Sequence, residues 1–212
     1  VMGILYAVVV GFVLLEALGR FASLDQTIDA EINAVQDIRD MLMYFDASQH
    51  ATVQKIRQTL HDYVVSVADR EWKVMANTSG QSNEYSSIKV KLLIQATNKI
   101  KVEDANDSIA LTGIIKQIAN ITTLRTRRIY HADEHIPPSI YTLIRFMSLI
   151  LISGLILMGV HSLWIHNLMV LSMTTAVFLA HKVLMDIDDP FSGSWSFTND
   201  RYLRLIEHGL EE

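Results

Sequence analysis

The chain has 212 residues, 50% of them apolar and 19% charged, with a formal net charge of -5 and a mean hydropathy of +0.24. That balance is too apolar for an ordinary soluble domain and too charged for a bundle of membrane helices alone, so it points to a protein partly in lipid and partly in water. The absence of cysteine excludes disulfides, thiolate metal sites and cysteine nucleophiles, and an acidic balance without a long basic run argues against nucleic acid as a partner.

The chain opens on Val1 inside an apolar run, so upstream sequence is expected to precede it. Residues 1–19 read as a membrane helix, free of charge to Leu15 and closed by Glu16 and Arg20; alone the run falls slightly short of the roughly 20 residues a span needs. Residues 20–139 then carry helical periodicity. Leu24, Ile28, Val35, Ile38, Leu42 and Phe45 form one apolar stripe, and Val53, Ile56, Leu60, Val64 and Val67 form another. The break at "DASQ" (46–49) offers N-cap residues for the second helix, and "NTSGQSN" (77–83) reads as a loop. A further helical pattern runs through Leu92, Ile100, Leu111, Ile114, Ile118, Ile121 and Leu124 until Pro137 and Pro138 stop it.

Residues 140–160 form the next expected span, with Arg145 placed to snorkel, followed by a short outer loop at 161–166 and a third span at 167–187 diluted by Ser172, Thr174, Thr175, His181 and Lys182. The tail is 188–212. Strand alternation and internal repeats are absent from the pattern, so the fold class is all-α, an integral membrane protein with long amphipathic helices between spans. Arg20, Arg125, Arg127 and Arg128 flank the helical region, whereas "HSLWIHN" between the last two spans holds no Lys or Arg. This bias places the helical region and the tail in the cytoplasm and Val1 outside. One more helix upstream would make four spans with both ends inside.

Five segments together resemble the bestrophin-like domain family of bacterial membrane proteins, distantly similar to the bestrophin anion channels. They are the first membrane helix, "YVVSVADREW" (63–72), "LRTRR" (124–128), "IPPSIY" (136–141) and "DIDDPFSG" (186–193). The most specific pieces are Tyr63 followed by Glu71-Trp72, and the tail stretch of Asp188, Asp189, Pro190, Phe191 and Gly193. That stretch is similar to the acidic-Pro-Phe-Gly run after the last membrane helix of bestrophins, with Ser192 as an insertion and Asn199-Asp200 matching a later Asn-Asp pair. The resemblance implies a homo-oligomer, a pentamer by analogy, that passes small anions through a central pore in the bacterial inner membrane. It also implies an apolar pore constriction on the first helix here, at Ile4, Val8 and Phe12, with Gly11 before the last. A spacing of four puts all three on one helix face, where a ring of copies gates by dewetting. The plain alternative is a stripe facing lipid.

Three other clusters invite chemistry. Asp186, Asp188, Asp189 and Asp200 offer oxygen ligands for calcium, as in the tail clasp of animal bestrophins, but the dense acidic run of that clasp is missing. The preferred reading is a stop signal: carboxylates meeting water at the membrane face, with Pro190 and Gly193 turning the chain. No cofactor is expected. Arg125, Arg127 and Arg128 either concentrate anions or mark the cytoplasmic side and touch lipid headgroups. His131 and His135 have the spacing of paired metal ligands without a third, and His161 and His166 flank the outer loop. Tyr63 and Trp72 read as packing anchors with hydrogen-bonding tips. No nucleophile with its base and no glycine-rich phosphate loop occurs, so an enzyme is the poorest class. A channel subunit leads, and a non-conducting scaffold or sensor that binds a partner through its helical region competes.

Overall fold

The computed structural model describes residues 2–76, 84–192 and 194–207. The loop read at 77–83 and Gly193 of the tail motif lie outside them. Among the described residues every regular element is helical, so the all-α reading holds. The chain packs as two units, residues 1–22 with 134–196 and residues 23–133 with 197–212.

Helix α1 (Met2–Met41) contributes to both. Glu16 and Arg20 close its apolar run but not the helix, because they pair one turn apart at 3.3 Å and leave the backbone ladder unbroken.

The first unit joins the start of α1 to α6 (Pro138–Leu157) and α7 (Leu163–Asp188). Tyr6, Ala17, Ile144, Val177, Leu184 and Ile187 make its small core. Most other apolar side chains of these helices are exposed, as expected where lipid or further copies replace water. The helical stretches Met2–Tyr44, Ala105–Leu157 and Leu163–Asp188 each hold a segment long and apolar enough to cross a membrane. Pro138 opens α6 at a first-turn position, where its missing N–H is no loss. α7 starts earlier than the expected 167, because the apolar "LWI" at 163–165 extends the helix and Ser162 O accepts from His166 N at 2.9 Å.

The second unit is assembled from amphipathic helices. The rest of α1 buries Leu24, Ile28, Val35, Ile38 and Leu42, and α2 (His50–Ser66) buries Val53, Ile56, Leu60 and Val64 against its neighbours. Full burial of each such side chain contributes about 1.5–3 kcal/mol. A π-helical turn (Val67–Glu71) leads into α3 (Trp72–Ala76), followed by α4 (Glu84–Thr97), α5 (Ala105–Asp133) and the short α8 (Asp200–Glu207). Gly113 lets α5 approach the end of α1 closely: a Cβ there would lie 2.6 Å from the Met41 sulfur.

Two sequence expectations are corrected here. The pattern from Leu92 to Leu124 is two helices, since the chain leaves α4 after Thr97 and re-enters helix at Ala105, where Asp104 Oδ1 accepts from Asp107 N at 2.7 Å. Secondly, the "DASQ" break is a 3₁₀ turn (Ala47–Gln49) in which Asp46 makes no side-chain cap. Gln49 instead grips the α4–α5 connection, donating to Lys101 O at 2.7 Å and accepting from Lys101 N at 3.0 Å.

Candidate functional site

Three places gather the residues singled out from the sequence. In the first unit, Ile4 (72% exposed), Val8 (47%) and Phe12 (69%) stand on one face of α1. Tyr6 and Ala17 are buried on the opposite face, with Val10 and Val13 packed beside them. The stripe therefore projects from the packed bundle, and a Cβ added at Gly11 beside it would meet nothing within 4 Å.

The tail motif is a knot of hydrogen bonds. α7 ends at Asp188, Pro190 follows, and Pro190 and Phe191 are buried. Asp188 Oδ1 accepts from Ile136 N at 2.8 Å and its Oδ2 from the Tyr141 hydroxyl at 2.9 Å, so this carboxylate secures the entry to α6. His135 Nδ1 lies 3.0 Å from Asp188 O. Asp189 accepts from the backbone N–H and hydroxyl of Ser192, and Asp186 Oδ1 from Ser194 N at 3.0 Å. The span does end at this motif, but its aspartates bind protein groups rather than simply meeting water. Calcium asks for six to eight oxygens, and each of these three carboxylates already serves a protein donor. Among the described residues no group of three or more His, Asp or Glu side chains could hold a metal. Helix α5 ends two residues before His135, so His131 and His135 do not sit one helical turn apart; His131 Nε2 lies 3.4 Å from Ser23 Oγ.

Replacing Asp188 with alanine is expected to lower stability by about 2 kcal/mol, because a buried N–H and a tyrosine hydroxyl lose a charged acceptor together. Asp188→Asn, which keeps one carbonyl oxygen, is expected to lose less. Thermal unfolding of the purified protein in detergent checks both. An unchanged midpoint for the alanine variant would mean that α6 does not depend on this contact.

In the second unit the three arginines divide. Arg127 is exposed, as a charge presented to water, ions or headgroups must be. Arg128 is corrected: its side chain has 0% exposure, as do those of Glu31 and Glu71, and it presents no charge to the surface. Arg128 Nε donates to Glu31 Oε2 at 2.9 Å, and its Nη2 donates to Glu71 Oε2 at 2.7 Å and to Glu31 Oε1 at 3.3 Å. Arg125 Nε and Nη2 each lie 2.9 Å from Glu71 Oε1, and its Nη1 donates to Ser87 Oγ at 3.1 Å. Ser86 also donates to Glu71. Two carboxylates and two guanidiniums thus balance inside the unit.

Aromatic side chains enclose this cluster. The Tyr63 hydroxyl donates to Glu31 Oε1 at 2.6 Å, and the Arg128 guanidinium carbon lies 5.8 Å from the Tyr202 ring centroid. Trp72 meets Tyr202 at 5.7 Å between centroids and donates from Nε1 to Phe197 O at 3.3 Å. Burial first, then the negative charge of Glu31, raises the Tyr63 and Tyr202 phenols well above their usual range, so both stay protonated.

Simple periodicity places Tyr63 and Trp72 about 180° apart, since nine residues turn at 100° each. The π turn between them absorbs one residue, which reduces the offset to about 80° and brings both to the cluster. Asn199 Nδ2 donates to Ala68 O within that turn at 3.1 Å, which gives the Asn-Asp pair of the tail a structural task.

Glu31 is not among the candidates the sequence singles out, yet it carries a signal. It stands three residues after Ile28 and four before Val35, a core position of the stripe. Glu71 continues Val67 by four residues and Arg128 continues Leu124 by four. A charge occupying an apolar register marks a partnered interior ion.

A family model for a bestrophin-like domain matches residues 1–202. No curated protein matches the sequence. Two crystal structures of a bacterial bestrophin homologue from Klebsiella pneumoniae, each with one substitution, have a similar fold. The first is 13% identical with a TM-score of 0.74, covering 100% of this chain and 86% of that one. The second is 13% identical with a TM-score of 0.71, covering 99% and 84%. At such identity the likeness speaks for the fold.

Proposed function

The chain belongs to the bestrophin-like family, and from that premise we propose that it is the subunit of an oligomeric ion channel passing small anions through a central pore. The observation that carries this reading is the stripe of Ile4, Val8 and Phe12, turned away from the packed face of α1. Copies arranged about an axis, five by analogy with bestrophins, would bring these side chains into an apolar ring that closes by dewetting. The arginine bias supports a cytoplasmic helical unit and tail in the bacterial inner membrane. The reading calls on no catalysis, nucleic acid or cofactor.

The competing reading is a membrane-anchored scaffold that binds a cytoplasmic partner. The exposed Ile88 and Leu92, one turn apart on α4, favour it.

Planar-bilayer recording of the purified, assembled protein in a chloride gradient separates the two. Currents whose reversal potential follows the gradient are expected. A flat trace from correctly assembled protein would overturn the channel reading in favour of the scaffold.

A further inference from the structure

The second unit contains a cavity of about 60 Å³ lined by Val35 of α1, Leu60 of α2 and Leu205 and Ile206 of α8, together with Arg57 and His61 of α2. Space on that scale admits about five water-sized spheres, or a small organic molecule of roughly six non-hydrogen atoms. Arg57 Nε and His61 Nε2 are buried atoms with no hydrogen-bond partner among the described residues. A guanidinium stays cationic across the accessible pH range, and a buried nitrogen without an acceptor is costly. Arg125 and Arg128 of the same unit have carboxylates within 2.9 Å; Arg57 has apolar neighbours across its cavity instead. Arg39 lines the same space, adding a second guanidinium.

We infer that this cavity binds a small monocarboxylate with an apolar tail. The two carboxylate oxygens match Arg57 Nε–H and an Nε2–H donor on the His61 ring, and the tail matches Val35, Leu60 and Leu205. A bare inorganic ion satisfies the cation but leaves the apolar wall unfilled. Leu205 and Ile206 belong to α8, so an occupied cavity ties α8 to α1 and α2, in the same sense as Arg201, which pairs with Asp25 at 2.8 Å and Asp29 at 2.7 Å. The ligand thereby stabilises the docking of α8. The site stands apart from the pore reading and does not depend on conduction.

Isothermal titration of the full chain in detergent with butyrate, and with uncharged butyramide of the same size, tests the site. Butyrate is expected to bind saturably and butyramide about tenfold or more weakly. Arg57→Gln is expected to reduce butyrate to the level of butyramide. Ile206→Trp, at a half-buried wall position, is expected to fill the cavity and abolish binding, with circular dichroism verifying the fold of each variant. Equal binding of the two compounds, no butyrate binding by the unaltered protein, or unchanged affinity in either folded variant would overturn the assignment.

Discussion

Arg128→Met is expected to destabilise the purified protein by about 3–5 kcal/mol, a fall of roughly 6–20 °C in the unfolding midpoint for a chain of this size. The magnitude follows from what the substitution leaves behind. Glu31 and Glu71 have no exposed side-chain surface, and Arg128 is the only guanidinium bonded to Glu31 among the described residues. Methionine fills much of the volume and none of the charge, so one carboxylate becomes an uncompensated interior anion. Arg127→Met, next door but exposed, is expected to stay within about 0.5 kcal/mol. Adding Glu31→Gln to Arg128→Met leaves Glu71 balanced by Arg125 at 2.9 Å and should recover more than half of the loss. Tryptophan fluorescence during thermal unfolding reads these changes directly, since Trp72 packs on the same cluster. Equal midpoints for the Arg128 and Arg127 variants would show that the charges carry no stability.

Joint replacement of Val8 and Phe12 by alanine is expected to raise single-channel conductance or basal leak several-fold. On the proposed reading these two side chains, with Ile4, set both the width and the dryness of the narrowest ring. Truncation widens the ring and lets water persist in it. Both residues are largely outside the core of the first unit, so assembly should survive the change. Lipid-facing residues would behave differently: their truncation would leave ion flow untouched. Unchanged currents from normally assembled protein would therefore move the constriction to another part of the chain. Bilayer recordings beside size-exclusion profiles of the same preparations decide the matter.

Much of the architecture is legible in the residues because burial imposes its period on the sequence. The stripe from Leu24 to Leu42 and that from Val53 to Val64 are buried where the spacing predicts. Pro138 starts α6 and Asp188 ends α7, because proline and clustered carboxylates act locally. The interior ions were hidden for the opposite reason. Glu31 and Arg128 are 97 positions apart, and a charge on an amphipathic helix is assigned to water unless its register is inspected. Gln49 likewise sits in a stretch that suits a cap, and its true partner, Lys101, lies 52 positions away across a connection that the Leu92–Leu124 pattern conceals. The α1 stripe is singled out by the family resemblance, since a spacing of four on an apolar helix only places the three side chains on one face. What faces it depends on neighbours that no single chain contains.

The π turn at Val67–Glu71 also constrains how relatives of this protein can vary in length. Substitutions along α2 and α3 each act at one position. Loss of a single residue between Tyr63 and Trp72 is absorbed there, because eight residues of plain α-helix also set Trp72 about 80° from Tyr63 once the π turn becomes an ordinary one. The segment therefore behaves as a one-residue length buffer: a lineage that keeps Glu71 against Arg128 can lose one residue from the turn, whereas a second loss would rotate Glu71, Trp72 and Met75 together by about 100°.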